Sequence, residues 1–238
     1  MWSEFNAVRC IHMPKRKDRR EVVERAIQTL QIPISFYYAK AHVNGGVEGC
    51  FDSHKRVLSE HSNLDNCLVF EDDFEISPTF SVEMLQEAIR FMNVNKDWDI
   101  IYLGCFPDIW RYPQKNLFGH IYEVKASCTH SYIASKRFMQ QFKNVNYDMI
   151  PIDEVFKSYK TYAIVPGLFR QTLSKTDVSD MQFVSTLAVK HYITAAVEQY
   201  VTLFGHVPLR QICLFFCVVL FFFLAQTVKY KNGCCIKK

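Results

Sequence analysis

Residues 68–74, Leu-Val-Phe-Glu-Asp-Asp-Phe, constrain the fold more than any other stretch of this 238-residue chain. Leu68, Val69 and Phe70 suit a strand covered on both faces, whereas Glu71, Asp72 and Asp73 cannot remain in such a place unpaired. The stretch therefore reads as a buried strand whose C-terminal end opens into a site, and ligands of open α/β sheets bind at that edge. Adjacent carboxylates repel one another and a cation relieves the repulsion; hard oxygen donors suit Mg²⁺ or Mn²⁺. The expected chemistry is a divalent metal held for a phosphate-bearing substrate. The plainer alternative is an acidic strand-to-helix turn, with Ser77-Pro78 as N-cap and first helical residue and the acids complementing the helix dipole.

A composition of 49% hydrophobic and 22% charged residues excludes a disordered chain. The net charge of +4 is mild, and the basic residues form no stripe interleaved with aromatics, so nucleic acid is not an expected partner. No pair of Cys-x-x-Cys motifs is present, which excludes a zinc ribbon. Cys10, Cys50, Cys67, Cys105 and Cys128 are irregularly spaced, several within apolar runs, and fit a reducing compartment better than a disulfide framework. Residues 212–228 (ICLFFCVVLFFFLAQTV) are uncharged and mostly apolar, long enough to cross most of a hydrocarbon core of about 30 Å. We expect a single membrane anchor over residues 209–229, a helical stem over 181–208 and a basic tail over 230–238; a core helix or an interfacial segment is the alternative. Lys229, Lys231, Lys237 and Lys238 behind the span favour a cytosolic tail, but residues 1–6 lack the basic-then-apolar pattern of a signal peptide that would carry the domain across; because a tail this short can itself be translocated, the expected arrangement is a tail-anchored, cytosol-facing domain. Cys234-Cys235 are candidates for palmitoylation.

Taken in order, residues 7–13 predict a first strand, and Asp18 with Glu21 predicts a capping box. That box opens a helix whose buried stripe is Val22, Val23, Ala26, Ile27 and Leu30. Lys15, Arg16, Lys17, Arg19 and Arg20 crowd that helix start, as either a diphosphate clamp or a solvated face. Residues 34–39 predict a second strand, followed by a loop in which Gly45 and Gly46 permit close backbone approach to a ligand. A helix is expected to run on from Ser53-His54, whose adjacent side chains diverge and so cannot be a hydrolytic pair; they suit polar support or sugar contact. Phe80, Met84, Leu85, Ala88, Ile89 and Met92 recur at helical spacing and read as core. Residues 98–103 predict a strand ended by Gly104, with Phe106, Trp110 and Tyr112 in an aromatic loop that either stacks on substrate or packs. Residues 120–124 and 132–135 predict short strands, with 127–130 between them free to touch substrate. Residues 135–142 predict a helix, and residues 162–167 a final strand. Pro151 followed by Asp153-Glu154 reads as a helix start or as a second pair of acids.

These stretches together resemble glycosyltransferase family 25, which contains lipopolysaccharide and procollagen galactosyltransferases. The likeness rests on Arg16 with Asp18-Arg19-Arg20, Ala41 and Gly45, Gly49-Cys50 with Ser53-His54, and the 68–76 run LVFEDDFEI. It continues through WDIIYLG at 98–104, Ser131-Tyr132-Ile133, Pro151-Ile152-Asp153-Glu154, Val165-Pro166, Gln171 and Ser179-Asp180. The chain differs at His12-Met13, where the family has Asn-Leu. The resemblance implies a GT-A-like α/β nucleotide-sugar-binding domain over residues 1–180. It implies inverting transfer of a hexose, with galactose expected, from a UDP-sugar to a glycan or protein acceptor. Glu71 and Asp73 would then hold Mn²⁺ or Mg²⁺, and Asp72 would turn inward to the sugar or the backbone. Arg16, Arg19 and Arg20 would face the phosphates, Gly45, Ser53 and His54 would line the donor site, and Asp153 or Glu154 would be the base. A catalytically inactive membrane-tethered protein of the same fold and a metal-dependent phosphohydrolase are the competing readings.

Overall fold

The computed structural model describes residues 1–107 and 115–172. Trp110, Tyr112, Ser179-Asp180, the expected stem, the anchor over 209–229 and the basic tail lie outside the described residues. No helix among those described is long and apolar enough to cross a membrane.

The chain opens β1 (Val8–His12), α1 (Lys17–Leu30), β2 (Ser35–Tyr38), α2 (Gly46–Glu60), β3 (Asn66–Glu71), β4 (Phe74–Ile76), α3 (Val82–Val94) and β5 (Ile100–Pro107). It continues β6 (Lys115–Phe118), β7 (Ile121–Glu123), β8 (Ala126–Ser135), α4 (Lys136–Phe142), α5 (Ile152–Phe156), β9 (Thr161–Ile164) and β10 (Phe169–Gln171). Eight strands form one mixed sheet in the order β2-β1-β3-β8-β5-β9-β7-β6, while β10 and β4 make a separate antiparallel ribbon. β1 is parallel to both β2 and β3, and β8 is antiparallel to both β3 and β5. The ends of β1 and β3 and the start of β8 thus share one edge.

The alternation of strand side chains divides the core in two. Val8, Cys10, Leu68, Phe70, Ile101 and Leu103 pack on one face with Val23 and Ala26 of α1 and the buried side of α3. Cys67, Val69, Ile100, Tyr102 and Tyr132 pack on the other with Phe51 and Leu58 of α2, Phe138 of α4 and Phe156 of α5. Helices on both faces explain why 67–70 is apolar without interruption.

Several boundaries depart from the sequence reading. Asp18 is not the N-cap of α1: Arg16 occupies that position, no side chain caps it, and Asp18 is already helical. Ser77-Pro78 is not a helix start either, because Ser81 caps α3 by accepting from the Met84 amide. α2 begins at Gly46, seven residues before Ser53, with Gly45 as N-cap at φ 100°. β8 begins at Ala126, so residues 127–130 are strand rather than connection. β5 runs through Gly104 instead of stopping there.

Gly104 has a different task. β10 crosses it, the Leu168 amide donates to the Leu103 carbonyl at 2.7 Å, and a Cβ at position 104 would overlap the Phe169 carbonyl oxygen and the His130 ring. Backbone and strand cannot both yield there. Gly104→Ala is expected to lower stability by about 1–3 kcal/mol through this overlap; a urea midpoint equal to wild type would contradict the close crossing.

Candidate functional site

The alternation of β3, carried one residue past its end, sends its acids to opposite sides. Glu71 turns to the face of α2, where His54 Nε2 lies 3.2 Å from its Oε1 and the Thr129 hydroxyl of β8 donates to the same oxygen. Asp72 turns to the face of α1 and is almost wholly buried. Its Oδ2 accepts from the Met13 amide at 2.9 Å and meets His12 Nδ1 at 2.8 Å, and Oδ1 accepts from Arg19 at 2.8 Å. Both oxygens of Asp72 are therefore engaged within the protein, and His12-Met13 is the counterpart that seats it.

Asp73 is different. Gln171 Nε2 donates to its Oδ2 at 3.0 Å, and Arg19 lies 3.4 Å from that same oxygen. Its Oδ1 is buried and has no hydrogen-bond partner. A buried carboxylate oxygen without a donor costs on the order of 1–3 kcal/mol or more. The β10–β4 ribbon creates this arrangement by pairing Gln171 with Phe74, and the Thr172 amide donates to the Asp73 carbonyl at 2.6 Å.

Electrostatics separates the two carboxyls that flank Asp72. Burial raises the affinity of Glu71 for a proton, but the hydrogen bond and charge of His54 and the Thr129 hydroxyl outweigh it and hold the group at about 2. Burial and the neighbouring Glu71 charge push Asp73 up to about 7, against the pull of Arg19 and Gln171. Burial likewise raises the Cys50 and Cys128 thiols, and the charges of Glu71 and Asp73 raise them further. The edge carries negative potential that the protein's own cations only partly offset. Glu71 and Asp73 offer hard oxygen donors, and the orphaned Oδ1 of Asp73 is suited to a divalent cation; the residues present fit Mn²⁺ or Mg²⁺.

The remaining sequence-predicted residues divide clearly. Arg19 reaches the carboxylates. Arg16 is engaged by Asp18 through two bonds of 3.0 and 2.7 Å, which hold the Asp18 carboxyl at about 2. Arg20 pairs with Glu24 and lies 3.6 Å over the Phe36 ring. Ser53 donates to the Gly49 carbonyl within α2 and lines a cavity of about 110 Å³ with Tyr38, His42 and Arg56; Gly45 sits at the start of the same helix. Of the two candidate bases, Glu154 is exposed and held by Lys157 at 2.7 Å. Asp153 is half-buried, and its charge reaches Cys50 and Cys128 at the site. Phe106 is buried rather than presented to solvent. A larger cleft of about 590 Å³, lined by Asn66, Trp98 and Arg137, opens where β3 begins, away from the carboxylates.

Sequence reasoning gave Cys128 and Thr129 only as free to touch substrate and Tyr132 and Gln171 only as part of the family likeness; it missed that Thr129 holds Glu71, that Gln171 holds Asp73 and that Tyr132 meets His54. Cys128 has a positive φ of 84° and a sulfur 3.2 Å from Gln171 Oε1. Backbone of this kind is strained for a non-glycine residue and concentrates at functional sites, but sequence carries no sign of it.

No family model matches the chain. The procollagen galactosyltransferase 1-B of Xenopus laevis is 31% identical over 132 residues, covering 42% of this chain and 21% of that protein. Procollagen galactosyltransferase 1-A of the same organism is 28% identical over 185 residues, covering 63% of this chain and 30% of that protein. The chain thus spans less than a third of the length of these relatives. Among solved structures, a glycosyltransferase involved in glycosylation of the major capsid of PBCV-1 superposes with a TM-score of 0.43 at 9% identity, covering 77% of this chain and 98% of that one. A likeness at that level carries no functional argument.

The neighbouring acids should respond oppositely to neutralisation in the metal-free protein. At Asp73 the folded chain binds its proton more tightly than the unfolded chain, so ionisation costs stability. That cost is absent below the ordinary value of 3.8, grows as pH rises towards about 7, and is complete above it. Asp73→Asn is therefore expected to stabilise by roughly 1–3 kcal/mol at pH 8, with the gain fading towards pH 4. Asp72→Asn should destabilise by about 3 kcal/mol, since it removes the buried charge that His12, the Met13 amide and Arg19 converge on. Urea unfolding across pH with a chelator present reads both; destabilisation by Asp73→Asn at pH 8 contradicts the assignment.

Proposed function

We propose that this domain is a nucleotide-sugar-dependent glycosyltransferase with a GT-A-like arrangement. It transfers a hexose, galactose by the likeness to the procollagen enzymes, from a UDP-sugar to an acceptor hydroxyl with inversion. The observation that carries the reading is the pair Glu71 and Asp73 at the sheet edge, with one Asp73 oxygen buried and unpartnered. The relatives named above, galactosyltransferases by description, support it.

Glu71 and Asp73 would hold Mn²⁺ or Mg²⁺, which supplies charge neutralisation of the departing diphosphate. Arg19 adds fixed positive charge beside them. His54 and Thr129 orient Glu71, and Gln171 orients Asp73, so that both carboxylates are set before substrate arrives. Asp153 is the proposed base: it takes the acceptor hydroxyl proton as the acceptor oxygen bonds to the anomeric carbon. The bond from that carbon to the phosphate oxygen breaks, and its electron pair leaves with UDP. Residues 209–229 are proposed to tether the domain to a membrane, on the uncharged and mostly apolar run 212–228 within them.

The full chain, purified in mild detergent, should turn over one of a panel of UDP-hexoses only with Mn²⁺ or Mg²⁺ present, read as UDP release and as sugar transferred to acceptor. Asp153→Asn should lower kcat by about 10²–10⁴-fold, whereas Glu154→Gln should stay within a factor of about three. Turnover without a divalent cation, or equal loss in the two variants, contradicts this mechanism.

A further inference from the structure

Glu71 has a second set of neighbours with different chemistry. Cys50 and His54 stand four residues apart on α2 and so share one helix face. With Glu71 they bring a sulfur, an imidazole nitrogen and a carboxylate oxygen to within 4.8 Å of one another. The geometry points to a Zn²⁺ site formed by Cys50, His54 and Glu71, distinct in donor set from the all-oxygen pair Glu71 and Asp73.

Three features support it. Ligands on one tetrahedral Zn²⁺, at bonds of about 2.0–2.3 Å, lie about 3.3–3.7 Å apart; His54 Nε2 and Glu71 Oε1 are already 3.2 Å apart. His54 Nδ1 lies 2.8 Å from the Tyr132 hydroxyl, which is buried in the sheet. When a metal takes Nε2, the proton that Nε2 shares with Glu71 in the metal-free protein is displaced, and Nδ1–H donates to the Tyr132 hydroxyl, which fixes the ring toward the metal. His54 is wholly buried, whereas Cys50 is half-buried and the Glu71 side chain 21% exposed, so solvent approaches the group from the side of Cys50 and Glu71. Thiolate and imidazole favour Zn²⁺ over Mn²⁺ or Mg²⁺, which prefer oxygen. Binding balances as loss to solvent of the Cys50 thiol proton when the sulfur–metal bond forms and of the His54 Nε2 proton when the nitrogen–metal bond forms.

The site does not rest on the transferase reading, but it shares Glu71 with it. Zn²⁺ on Cys50 and His54 removes Glu71 from a cation at Asp73, so the two occupants compete.

Co²⁺ is the spectroscopic probe. The metal-free full chain titrated with Co²⁺ should develop a thiolate-to-cobalt charge-transfer band and tetrahedral visible bands at one equivalent, both erased by one equivalent of Zn²⁺ and unaffected by Mg²⁺. Cys50→Ser should abolish the charge-transfer band and weaken Co²⁺ binding at least about tenfold, while Cys128→Ser retains it. Absence of the band in wild type, its survival in Cys50→Ser, or its loss in Cys128→Ser overturns the site. None of these readouts uses sugar transfer, so failure here is separable from failure of the transferase reading.

Discussion

Charge confined at the end of β3 is the constraint to which the surrounding structure answers. Three consecutive carboxylates enter a region with little solvent, and each meets a different fate because strand geometry points it at a different layer. Glu71 is met by a histidine from α2 and a hydroxyl from β8. Asp72 is met by His12, a backbone amide and Arg19. Asp73 keeps one oxygen unmet. A buried group without a partner is tolerated where function requires it, because ordinary selection for stability would otherwise supply a donor.

The topology makes this possible at modest cost to the core. Reversal of β8 between β3 and β5 brings Cys128, Thr129 and His130 beside the C-terminal end of β3, where a purely parallel sheet would place a connection. The short β10–β4 ribbon then folds over the same edge and delivers Gln171 to Asp73. Gly104 is what lets that ribbon lie so close to β5. The apolar layers beneath stay intact, with Phe70, Phe74 and Phe169 clustered at ring separations of 4.4 to 5.5 Å. Rigid packing directly under the acids fixes their backbone while their heads remain available.

Much of this was legible in the chain. The 68–71 strand and the stripe of α3 follow from apolar patterning and periodicity, and the helix expected over 135–142 is present as α4, signals that are local and strong. The opposite roles of Asp72 and Asp73 were not legible, since adjacent identical residues differ only through what distant elements bring to them. Gln171 sits in a three-residue strand too short for any periodic signal. Gly104 was misread as a strand end because glycine marks both turns and close crossings, and only the tertiary neighbour decides which. Asp18 looked like a cap by its spacing to Glu21, but its bonds to Arg16 hold it inside the first turn instead. Residues 127–130 read as a connection because a polar run carries no strand alternation; the register of β8 is imposed by β3 and β5.

Transfer from a nucleotide sugar at this edge requires that Asp73 receive a divalent cation together with a nucleoside diphosphate. Mn²⁺ binding to the full chain, followed by electron paramagnetic resonance with and without UDP, tests that directly. The account predicts that UDP tightens Mn²⁺ binding at least about tenfold, through shared phosphate oxygens, and that Asp73→Asn removes this coupling. Mn²⁺ bound equally well in the presence and absence of UDP, or unchanged in Asp73→Asn, would contradict it.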